Sequence, residues 1–116
     1  MTARDWRAGV TRAAALTVAA ESFLVARIGA ELRQAAEVAM DDAAAGTRLA
    51  AEAQAKATLL AIYRSARDEV NIAFAAGGGL AEGDPAVVAR ERAFREVLDL
   101  VLEVYRYYPD FDESWI

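Results

Sequence analysis

Cysteine and histidine are both missing from this 116-residue chain. Their absence excludes disulfides, thiol catalysis, zinc fingers, histidine-ligated haem, di-iron sites of the Glu-x-x-His type and imidazole bases. Proline is confined to positions 85 and 109, and lysine occurs once, at Lys56. With so few breakers, no β-branched runs and alanine as the commonest residue, helix is favoured along nearly the whole chain and no sheet is expected. Positive charge is in deficit, 13 basic residues against 18 acidic ones for a formal net charge of -5. The arginines are scattered among carboxylates, so the clustered positive field that a nucleic-acid backbone requires is missing. Long apolar runs are lacking too: Arg12, Glu21 and Arg27 interrupt the N-terminal half well short of the roughly 20 apolar residues of a membrane span. The chain therefore reads as soluble and unprocessed, and its lack of cysteine fits a reducing cytoplasm or a protein made by recombinant expression.

What is present is helical periodicity, clearest from Val87 to Tyr108. Val87, Phe94, Leu98, Val101, Tyr105 and Tyr108 keep a four-three spacing in which Glu91 fills the one empty place, and Val97 and Val104 are expected to widen the buried stripe. Asp84-Pro85 supplies a cap and a first-turn proline, and Pro109 forbids continuation. Thr2 and Asp5 form a plausible capping box for a first helix at about residues 3–40. Asp41, Asp42, Gly46 and Thr47 cluster as turn residues before a second helix at about 48–76, which Gly77-Gly78-Gly79 ends. The expectation is one domain, residues 1–116: an all-α antiparallel bundle of three main helices at about 3–40, 48–76 and 85–108, with a tail at 109–116. Phe111, Trp115 and Ile116 make that tail too aromatic to stay in water, so it should fold back onto the bundle end.

At 1.5 Å per residue these helices would be roughly 57, 44 and 36 Å long, an uneven set for a lone bundle. Either the first helix breaks in two, near Gly29, or its overhang is covered by another copy. Trp6, Val10, Val18, Leu24, Val25, Ile28 and Leu32 share one arc of it, and Leu16, Phe23 and Val38 a second. A helix apolar on two sides needs two neighbours, so a homodimer is expected, with Trp6, Val10, Ile28 and Leu32 as its surface.

Several polar residues lie on apolar faces. Glu21 sits within the main arc of the first helix, while Glu52, Lys56 and Arg67 share a face of the second with Leu49, Leu60 and Tyr63. An antiparallel hairpin turning near residue 44 places residue i opposite 89 minus i, which pairs Glu21 with Arg67 and leaves Tyr63 one turn away. Glu52 and Lys56 have the order that favours an intrahelical pair. The plainest role for these groups is to set register or reach water. The alternative is a small-molecule site, with Glu21, Glu52, Lys56, Tyr63 and Arg67 holding a polar ligand. A third reading is a small enzyme using Lys56 as a desolvated Schiff-base nucleophile, although no companion catalytic signature accompanies it. No catalytic set, metal or cofactor is assigned.

The run Gly79-Leu80-Ala81-Glu82-Gly83-Asp84-Pro85-Ala86-Val87-Val88-Ala89-Arg90 resembles the loops and capped helices of computationally designed idealised bundles. That resemblance is one of style, and it implies a de novo protein made for self-assembly or for binding a chosen ligand. A long helix followed by two shorter ones is also similar to the intertwined helical chorismate mutases, but the likeness stops at helix order and transfers no site. Self-association as a non-catalytic interaction module is the function the sequence favours.

Overall fold

The structure, a computed structural model, describes residues 16–76 and 85–116, with Phe74 and Ala76 described by their backbone only. The expected capping box at Thr2, the glycine stop at 77–79 and the Asp84 cap lie outside these residues. Within them the chain is all-helical: α1 (Val18–Asp41), α2 (Ala43–Ala76), α3 (Pro85–Val104) and a single 3-10 turn, Glu113–Trp115. α2 is the middle element and packs against both α1 and α3.

Thr17 starts α1. Its backbone is extended (φ -68°, ψ 155°) and its hydroxyl accepts from the Ala20 N–H, satisfying one of the donors a helix start leaves open. A first helix continuous over residues 3–40 is therefore ruled out. Gly29 makes no break: it lies in the interior of α1.

Asp42 alone makes the turn into α2. Its N–H donates to the Val38 carbonyl at 2.8 Å, closing α1, and its Oδ1 accepts from the Ala45 N–H at 3.0 Å, capping α2. Because one residue does both, α2 begins at Ala43 instead of about 48, and Gly46 and Thr47 are helical rather than turn residues. Gly46 is in fact a packing residue. A Cβ at this position would lie 2.4 Å from the Ala39 Cβ and 2.6 Å from its Cα, so only glycine lets the two helices part so closely from a one-residue turn.

α3 stops at Val104, four residues earlier than the apolar spacing predicts. Proline disfavours the helical conformation at the residue before it, here Tyr108. Before that the chain tightens: Tyr105 and Arg106 donate to the carbonyls of Leu102 and Glu103 in i to i−3 bonds. The tail then folds back as expected, setting Phe111 and Trp115 on Phe23 of α1 with ring centroids 5.6 and 5.1 Å apart.

The core holds Leu16, Phe23, Leu24, Ile28, Leu60, Tyr63, Leu98, Leu102 and Tyr105. Val97 and Val104, expected to widen the buried stripe of α3, are exposed instead. The stripe turns the other way, toward Glu91, Arg95, Leu98 and Leu102.

Candidate functional site

The five residues proposed as a ligand site do not form one site. They divide between two polar clusters about three turns, or roughly 16 Å, apart along α2.

In the first cluster Glu21 accepts from Arg67 Nη1 at 2.8 Å and Arg64 Nε at 3.2 Å. The pairing across the hairpin is the one the register predicts. Tyr63, fully buried, lies beneath the Arg67 guanidinium, 5.7 Å from ring centroid to Cζ, and its hydroxyl accepts from the Leu16 N–H at 3.1 Å. On the α3 side is Glu91, only 2% exposed, with Oε1 making no hydrogen bond; Arg95, also buried, uses Nε on Asp99 at 2.9 Å but leaves Nη1 unpartnered. The sequence shows Glu91 as a gap in an apolar seam but gives no sign of what faces it.

Burial pushes the Glu91 carboxyl above its ordinary range, offset in part by Arg95 and by a hydrogen bond from Tyr63. The folded protein therefore keeps this proton at pH values where the unfolded chain has lost it. Stability from this group is full below about pH 4 and declines as pH rises through the raised value. Glu91→Gln, which stays neutral, should flatten that decline and gain on the wild type as pH rises from acid to neutral. Urea unfolding at a series of pH values from acid to neutral checks both, and a variant slope equal to the wild type's would mean Glu91 is not the group responsible.

The second cluster joins all three helical segments. Lys56 of α2 donates to Glu31 Oε1 of α1 at 2.7 Å and to the Tyr105 hydroxyl, just past α3, at 2.8 Å. Tyr105 in turn donates to Glu31 Oε2. Burial pulls the Lys56 ammonium down, but its bonds to Glu31 and Tyr105 outweigh this and hold it above its ordinary value. Burial and Glu31 likewise raise the Tyr105 phenol. A lysine held this firmly protonated is not the free amine that Schiff-base chemistry begins from.

Beside the trio opens a cleft of about 250 Å³ lined by Glu31, Gln34, Leu49, Glu52 and Val104, among others. Of the expected ligand residues, Glu52 and Lys56 line it, whereas Glu21, Tyr63 and Arg67 do not. Sequence reasoning missed Glu31 and Tyr105, whose partnership spans 74 positions and leaves no local signature. Among the described residues no group of acidic side chains is placed to hold a metal ion, and no helix is long and apolar enough to cross a membrane.

Of the expected association surface, Ile28 is 6% exposed and belongs to the chain's own core and Leu32 packs against that core, yet both also line a groove between α1 and α2; Trp6 and Val10 lie outside the described residues. Among the described residues an uncovered apolar face lies on α3 and just beyond it, where Val97, Leu100, Val104 and Tyr107 are 37%, 69%, 65% and 93% exposed. The three-four spacing of Val97, Leu100 and Val104 places them on one line of α3, and Tyr107 follows in the turn after it. A shallow groove of about 270 Å³ runs between α1 and α2, lined by Val25, Gly29, Leu32, Ala57, Ala61 and Arg64 among others.

Comparison of the chain with protein families, with characterised proteins and with solved structures found no match.

Proposed function

We propose that this protein is an interaction module that associates with further copies of itself, the exposed seam of α3 in one copy lying in the α1–α2 groove of the next. The observation that carries this reading is the seam itself. Three large apolar side chains in a helical line, with Tyr107 just past the helix end, are left to solvent, while the opposite face of the same helix is packed. Contiguous apolar surface of this kind marks contact sites far more often than scattered exposed residues do.

The second surface fits the first in shape and charge. Gly29, Ala57 and Ala61 are small enough to admit a helix at close range. Arg64 stands on one rim and Arg33 lies over Gly29, with Nη1 3.6 Å from the position a Cβ would take. Glu96 and Glu103 flank the α3 seam. The two surfaces also point in different directions. Arg27 and Glu31 face Tyr108 and Tyr105 on the α3 side of α1, and Gly29, two residues from each, faces away. A contact between unlike faces does not close on itself at two copies, so assembly should continue past the dimer as concentration rises.

Sedimentation velocity over a concentration series tests the proposal. The wild type should show weight-average mass increasing with concentration. Leu100→Glu and Val25→Glu, both at exposed positions, should each be monomeric alone, yet form a 1:1 complex when mixed, because each retains the surface the other has lost. A wild type that stays monomeric throughout would sink the reading. Self-association of Val25→Glu unaltered from wild type would show that α3 pairs with itself and that the groove takes no part.

A further inference from the structure

We propose that the cleft beside Lys56 binds a small organic amine, with the Glu52 carboxylate receiving its cationic head. Glu52 and Lys56 have the i, i+4 order that ordinarily gives an intrahelical ion pair. Here Lys56 is drawn away from it, to Glu31 of α1 and the Tyr105 hydroxyl just past α3, which accept its hydrogen bonds at 2.7 and 2.8 Å. That leaves Glu52 exposed at the rim with no ion pair or hydrogen bond among the described residues. The lining then carries Glu31 and Glu52 against the single ammonium of Lys56, one net negative charge with its internal cation already engaged.

An entering anion would meet two carboxylates in the lining and no cation there but the engaged Lys56, since Arg27 stacks on the Tyr108 ring and is not itself part of the lining. An entering ammonium meets the reverse, and it can share the second lone pairs of Glu31 as well as pair with Glu52. The remaining lining suits the rest of such a molecule. Leu49 and Val104 offer apolar surface to a short methylene chain, and the Gln34 amide can satisfy a polar group at its far end. The volume of about 250 Å³ accommodates a chain of a few carbons, near the small end of ligand pockets. The cleft shares Val104 with the α3 seam but none of its polar residues, so the titration is also run in Leu100→Glu, which keeps the cleft lining intact and should be monomeric.

The probe is 1,4-diaminobutane, titrated into isotopically labelled full-length protein at 0.15 M salt, where loosely held surface ions are largely screened, with butanoate as the anion of matched length. Amide shifts should concentrate at Gln34, Leu49, Glu52 and Val104 for the diamine and be absent for butanoate. Glu52→Gln, an exposed and neutral exchange, should weaken diamine binding at least tenfold without altering the melting temperature. Lys56→Met, by removing the internal cation and freeing Glu31, should tighten it. Equal responses to diamine and butanoate, unchanged affinity in Glu52→Gln, or weaker binding in a folded Lys56→Met would each overturn the proposal. Should Lys56→Met fail to fold, the butanoate comparison and Glu52→Gln still decide it.

Discussion

Gly46→Ala should destabilise the protein by about 3 kcal/mol, the upper part of the usual range for overpacking, and lower its melting temperature by roughly 10 °C for a domain of this size. Helix propensity alone predicts the opposite sign. Gly46 is helical, and alanine in a helix interior is worth about 1 kcal/mol over glycine. The added methyl, however, would sit 2.4 Å from the Ala39 Cβ and within 2.7 Å of the Ala39 Cα and N. Those are backbone and near-backbone atoms of a packed helix, with no rotamer by which to give way. α1 and α2 must separate, and they are joined by Asp42 alone, so the separation spreads into the caps at both helix ends. Gly29→Ala is the matched control. It is mid-helix, whereas Gly46 is in the first turn of α2, and the nearest neighbour of Gly29 is the flexible end of Arg33 at 3.6 Å, so there propensity should prevail, raising stability by up to about 1 kcal/mol. Differential scanning calorimetry of both variants reads the contrast. If the two shift in the same direction, the close crossing at Gly46 is not what fixes the hairpin.

The same glycine shows where sequence reasoning reaches its limit. Beside Asp41, Asp42 and Thr47, Gly46 has the composition of a turn, and nothing local separates a glycine that bends the chain from one that lets another helix approach. Thr17 is the converse case. It is followed by Val-Ala-Ala instead of the acidic or amide residue three places on that marks a capping box, so it reads as one more helical residue in an alanine-rich run. What was legible were relations fixed by helical geometry. The core places of Leu98 and Tyr105 follow from the heptad, and the pairing of Glu21 with Arg67 follows from the hairpin register. Periodicity reports how apolar residues divide around a helix but not how many neighbours the fold supplies. Periodicity therefore places Val97 and Val104 in a buried stripe, but the described helices leave both exposed. Lys56 was singled out, but its partners Glu31 and Tyr105 come from opposite ends of the described chain, and only the assembled bundle brings them together.

Phe23→Ala should have the largest effect of any single truncation, about 3–5 kcal/mol for the lost burial and the cavity left behind. Phe23 is the point where three segments meet. Its ring contacts Tyr105 at the end of α3, at 5.9 Å between centroids, and both aromatic residues of the tail, Phe111 and Trp115. The Tyr105 and Phe111 contacts are edge-to-face and the Trp115 contact is tilted at 50°; edge-to-face pairs add about 0.5–1.5 kcal/mol each beyond area burial. Set against a total stability of about 5–15 kcal/mol for an ordinary domain, the loss takes a large fraction. It should also be unevenly distributed. Phe111 and Trp115 retain each other, their rings 5.2 Å apart, but lose the surface on which they dock, so the tail should open before the helices melt. A Trp6→Phe background makes Trp115 the sole indole reporter. In that background Phe23→Ala should show red-shifted emission at temperatures where far-ultraviolet circular dichroism remains helical. Tyr105 loses lateral support at the same time, and its hydroxyl is one of the two groups that draw Lys56 away from Glu52. The variant should therefore bind 1,4-diaminobutane more weakly as well, through disorder of the cleft wall rather than loss of charge. Unshifted emission together with a lowered melting temperature would mean that the tail is held by contacts other than Phe23.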